Sequence, residues 1–93
     1  MFCGFDGGDH ISHLKGVDIF IGGAGGDSVH TNTGTFYGGN GNDSVDTNFN
    51  GDFNGGVGVD YIDKMISGTF DGGDDTDDDY VVDYIGGRLV NVP

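Results

Sequence analysis

A repeat of about 17 residues governs this chain. The first glycines of five units, Gly4, Gly22, Gly38, Gly55 and Gly72, stand 18, 16, 17 and 17 residues apart. Phe2, Phe20, Phe36, Phe53 and Phe70 each precede that glycine by two residues. Gly34, Gly51 and Gly68 recur at intervals of 17. Such a period is too long for one strand and too short for a pair of helices. At roughly 3.3 Å per residue it suits a coil of two short strands and two turns, stacked about 4.8 Å from the next coil. The expected fold is therefore all-β, a parallel β-solenoid of about five coils with two short strands in each.

Composition agrees. Glu is absent, Ala24 is the one alanine, Leu14 and Leu89 are the two leucines, and 21 residues are glycine. Little helix can be built from such a set, whereas Val, Ile, Phe, Tyr and Thr supply strands. In each coil the first strand carries an aliphatic residue (Ile11, Val29, Val45, Ile62) and the second carries the phenylalanine. Both point inward as ladders and form the core. Two regions depart from the pattern. The first unit has Phe5 where a second glycine belongs, and the fifth lacks the fourth-position glycine. In the fifth, either Asp77 or Asp78 takes the template position, and with Asp78 the inward residue is Tyr80. Repeats are expected over residues 1–79. Residues 80–93 read as a terminal cap, either a hairpin turning at Gly86-Gly87 or a partial extra coil in which Tyr84-Ile85-Gly86-Gly87 imitates the Phe-x-Gly-Gly marker.

The chemistry lies in the glycine turn. Gly22–His30, Gly38–Asp46 and Gly55–Asp63 share one form: Gly, Gly, any residue, Gly, any residue, Asp, any residue, large aliphatic, any residue. Glycines permit the positive φ that lets carbonyls face one point, and the aspartate adds a short anionic arm. Six to eight oxygens at about 2.3–2.6 Å make a calcium site. One turn has too few, but two stacked turns have enough. The candidate ligands are Gly4, Asp6, Gly8 and Asp9 in the first unit and Gly22, Ala24, Gly26 and Asp27 in the second. Gly38, Asn40, Asn42 and Asp43 follow in the third, then Gly55, Val57, Val59 and Asp60 in the fourth. Asp77 or Asp78 ends the column, which has room for about four Ca2+ ions along one edge. A solvated acidic face does not explain why Asp recurs at one register among glycines.

Over residues 2 to about 80 the chain resembles the RTX, or haemolysin-type, calcium-binding repeat family. The resemblance implies a right-handed parallel β-roll whose turns bind calcium and which folds only with calcium. It also implies a secreted, extracellular protein exported by a type I-like route. Family rolls usually run nonapeptides back to back, so that calcium lines both edges. Here the second half-unit, as in TNFNGDFN, lacks the template, so calcium is expected on one edge and metal-free turns near Gly34, Gly51 and Gly68.

Charge narrows the partners. The net charge is −13, with Lys15, Lys64 and Arg88 as the basic residues. That excludes nucleic acid, which needs clustered cations, and disfavours anionic lipid. No apolar run of 18 residues exists to insert in a membrane, and MFCGFDGG does not read as a signal peptide. An EF-hand start at Asp75 fails at Tyr80 and has no closing Glu. No phosphate loop or dinucleotide fingerprint is present. His10 and His13 read as solvated surface and Cys3 as an unpaired end residue. No catalytic constellation is visible, so the expected function is non-enzymatic: a calcium-binding structural, assembly or adhesive module. Two alternatives remain. One is a head-to-tail filament subunit, because open solenoid ends are templates for another copy. The other is an ice-binding solenoid, whose threonine ranks here are Thr31 and Thr33, then Thr47.

Overall fold

A computed structural model describes residues 2–4, 7–73 and 79–90. It is a parallel β-solenoid of two sheets. The odd strands are β1 (Phe2–Cys3), β3 (Ile19–Ile21), β5 (Thr35–Tyr37), β7 (Gly51–Asn54), β9 (Gly68–Asp71) and β11 (Arg88–Val90), and they form one six-stranded sheet in that order. The even strands are β2 (His10–Leu14), β4 (Ser28–Asn32), β6 (Ser44–Asn48), β8 (Tyr61–Met65) and β10 (Tyr80–Tyr84), and they form a five-stranded sheet. All pairings are parallel, as expected when each coil lies on the one before.

The phenylalanine marker sets the register of the first sheet. Phe2 pairs with Phe20, Phe20 with Phe36, Phe36 with Phe53, and Phe53 with Phe70. From Phe20 to Phe70 the rings are buried and stacked, with centroids 5.0, 4.7 and 5.0 Å apart and planes within 10°. This spacing is essentially the strand separation, so the backbone ladder dictates the ring stack. Facing it, Val29, Val45 and Ile62 are buried in register, with Ile11 and Val81 packed at the ends. Replacing Phe53 by Ala removes a ring that touches two others, and is expected to cost about 3–5 kcal/mol. Denaturant unfolding of the folded protein measures it. A loss below about 1 kcal/mol would show that the stack carries little.

Of the two readings of the terminal residues the extra coil holds and the hairpin does not, and the register differs from the one expected. Strands β10 and β11 belong to different sheets and extend β8 and β9, so residues 80–90 form a further coil and not a hairpin. Nor does Gly86-Gly87 repeat the Phe-x-Gly-Gly marker. Arg88 pairs with Thr69 and Leu89 with Phe70, which puts Gly87 in line with Gly68, in the opposite turn.

That opposite turn holds a second buried column. Leu14, Asn32, Asn48 and Met65 stack in register and are fully buried. The Asn32 amide donates to Asn48 Oδ1 at 2.8 Å and to the Asp52 carbonyl at 3.1 Å, and its Oδ1 accepts the Gly34 N–H at 3.2 Å. The Asn48 amide donates to the carbonyls of Gly51 and Ser67 at 2.9 and 3.0 Å. Amide groups here satisfy turn backbone that burial would otherwise leave unpaired.

Candidate metal centre

Each glycine of the GGxGxD turn has its own reason. In the third unit Gly39 and Gly41 have φ of 83° and 111°, a region that side chains avoid. Gly38 does not need that freedom. A β-carbon there would collide with the Asp43 carboxylate and lie 2.8 Å from the Gly55 carbonyl oxygen. Gly22 is placed likewise against the Asp27 carboxylate and the Gly38 carbonyl at 2.9 Å. The first glycine thus leaves a small space bordered by a carboxylate oxygen of its own coil and a carbonyl oxygen of the next.

The aspartates form a continuous buried column. Asp9 N–H donates to Asp27 Oδ1, Asp27 N–H to Asp43 Oδ1, and Asp43 N–H to Asp60 Oδ1, each at 2.9 Å. Asp60 N–H donates to Asp79 Oδ1 at 2.7 Å. Asp27, Asp43, Asp60 and Asp79 are at most 2% exposed. One oxygen of each carboxylate is therefore spent on the backbone of the preceding coil. The second oxygen of Asp9, Asp27 and Asp43 is also buried and accepts no hydrogen bond. A buried oxygen of this kind is costly unless something positive meets it.

The electrostatics reflect that cost. Burial, reinforced by the Asp9 carboxylate, pushes Asp27 up to about 6. Burial, reinforced by the charges of Asp60 and Asp27, pushes Asp43 up to about 8. A carboxyl whose pKa is higher in the folded state binds more protons folded than unfolded. Without a cation, the stability from these protons is full below the unfolded pKa of about 4. It declines as pH rises through about 6 and is lost through about 8. In chelator, with sucrose added to favour the compact state, melting temperatures should fall from about pH 4 to about pH 8. A flat or rising profile would contradict the buried column.

The column's last member is Asp79, in place of the expected Asp77 or Asp78, which lie outside the described residues, as does Asp6. Its register is fixed by Tyr80 pairing with Tyr61 and Val81 with Ile62. Val81 is thus the inward residue of that coil, and Tyr80 faces out, stacked on Tyr61. Among the carbonyl candidates, Ala24 and Val57 already accept the N–H groups of Gly7 and Gly41, leaving each one lone pair. The carbonyls of Gly26 and Asn42 lie 2.9 and 3.0 Å from where a β-carbon of Gly8 and of Gly26 in the preceding coils would stand. Asn40 bridges to Val57, and the Asn42 side chain accepts the Val59 N–H at 2.9 Å.

Among the described residues no three Asp, His or Cys side chains gather as a metal cluster. A cation here would take its remaining ligands from backbone carbonyls, as hard cations readily do. The stacked aspartates can line such an ion site. Comparison with protein-family models, curated proteins and solved structures returns no match.

Proposed function

We propose that the chain is a non-enzymatic, RTX-type calcium-binding solenoid. It folds on binding Ca2+ and serves a structural, assembly or adhesive role outside the cell. The observation that carries this reading is the buried second oxygen of Asp9, Asp27 and Asp43, which accepts no hydrogen bond. At Asp27 and Asp43 this oxygen and a glycine carbonyl of the next coil both border the space that the missing β-carbon of Gly22 or Gly38 leaves open. Oxygen ligands of mixed carboxylate and carbonyl type, without nitrogen or sulfur, suit calcium. The chain's own cations lie elsewhere in the fold. Lys15 is in the opposite turn and Lys64 on the outer face of β8, in register with Thr47.

Four aspartate-to-aspartate bonds define four gaps, hence about four ions per chain. Equilibrium dialysis with radioactive calcium counts them, with magnesium as competitor. Magnesium should compete poorly, since it demands a near-ideal octahedron and dehydrates reluctantly. Fewer than one ion per folded chain at millimolar calcium would end this reading. Light scattering on the same samples reports whether calcium also drives end-to-end assembly.

A further inference from the structure

The outer face of the six-stranded sheet carries a groove that the aspartate column does not use. Strands β5, β7 and β9 frame a space of about 270 Å³. Two rows of outward side chains line it. Thr35, Asp52 and Thr69 stand in register on one side, and Tyr37, Asn54 and Asp71 on the other. The inward neighbours Phe36, Phe53 and Phe70 are locked in the ring stack, so the groove has a rigid floor.

We propose that this groove binds a neutral saccharide, laid along the solenoid axis between the Tyr37 row and the Asp52 row. A sugar offers apolar C–H faces and adjacent hydroxyls that both donate and accept. The lining matches each property. Tyr37 is 44% exposed, and its ring offers an apolar face with a polar tip. The Asp52 carboxylate accepts from hydroxyls, the Asn54 amide donates and accepts, and the Thr35 and Thr69 hydroxyls do both. Asp71 Oδ1 accepts the Gly73 N–H at 2.9 Å, which fixes the orientation of that carboxylate at the groove wall.

Size and charge define the class further. At about 270 Å³ the space lies just under the roughly 300–1,000 Å³ of small-molecule pockets, so it takes one ring and leaves the rest of a linear ligand along the axis. The rows repeat at the coil spacing of about 4.8 Å, a geometry for an extended chain of similar units. Two lining carboxylates on a chain of net charge −13 repel anionic glycans. A site for ammonium groups would need the carboxylates but not the amide and hydroxyls. The groove is open, so binding is expected at millimolar strength, about 4 kcal/mol.

The test is a set of amide chemical-shift titrations on the ¹⁵N-labelled chain, with folding checked by circular dichroism in the same buffer. The probes are cellotriose, maltotriose and mannotriose, with putrescine as the cationic arm. At least one trisaccharide should shift the amides of Tyr37, Asp52, Asn54 and Thr69 and leave Val45 and Asp46 unmoved. Tyr37→Ala and Asp52→Ala should each weaken it about tenfold. Asp63→Asn, on the other sheet, should change nothing. The proposal is overturned if no trisaccharide moves the groove amides. It is equally overturned if putrescine alone moves them, or if Asp63→Asn weakens binding as much as Asp52→Ala.

Discussion

In chelator at neutral pH the chain is expected to lose its β-structure, and in millimolar calcium to regain it. The argument is one of magnitudes. Without a cation the column must either hold like charges one coil apart, about 4.8 Å, where neighbours repel by roughly 3 kcal/mol at an effective dielectric of 20, or take up protons on Asp27 and Asp43, whose burial pushes them up to about 6 and about 8. Against this stands a core of nine buried apolar side chains among the described residues, in a chain short enough to need a staple. Single domains hold only about 5–15 kcal/mol in total, so a few uncompensated repulsions are enough to reverse the balance. An ion that binds only the folded chain, at a hundred times its dissociation constant, adds about 2.7 kcal/mol. Four such ions add on the order of 10 kcal/mol. Far-ultraviolet circular dichroism in EDTA and then in calcium reads the change directly. A chain that keeps its strand spectrum in EDTA at pH 7.5 does not depend on cations for its fold.

The repeat was legible because three independent markers share one period, and the period alone implies stacked coils. Gly38 and Asp43 were legible together, since the first glycine is required by the carboxylate folded against it. Asp79 was not. Its coil begins 19 residues after Asp60, and the run from Asp74 to Asp79 offers five aspartates with no glycine to fix the register. The asparagine column was missed for a different reason. In β4 and β6 the inward residues are the second and the fifth, with an exposed corner residue, His30 or Asp46, between them. Strict alternation places Asn32 and Asn48 outside. The recurring Thr-Asn at 31–32 and 47–48 was the available signal. The groove could not be read at all, because neither Thr35, Asp52 and Thr69 nor Tyr37, Asn54 and Asp71 keep one residue type from coil to coil, and each row meets only through the register of three strands.

Asparagine in place of Asp43 is expected to change sign with the calcium level. The substitution keeps Oδ1, so the buried Asp27 N–H retains its acceptor. It removes the negative charge that Asp27 and Asp60 repel. Without calcium, in sucrose to favour the compact state, Asp43→Asn should therefore melt above the parent chain at pH 8. With calcium the order should reverse. Asp43 faces two gaps, and both lose a carboxylate, so the calcium needed for half-folding should rise about tenfold or more. Asp43→Ala separates charge from hydrogen bonding. It strands the Asp27 N–H in a buried place, at about 1–3 kcal/mol, and should be less stable than Asp43→Asn under both conditions. Asp9→Asn, at the end of the column, removes the carboxylate from fewer gaps and should move the calcium midpoint less. A column that merely tolerated its charges would give Asp43→Asn the same advantage with and without calcium. The crossing of the two melting series thus distinguishes aspartates that hold an ion from aspartates that only cap a turn.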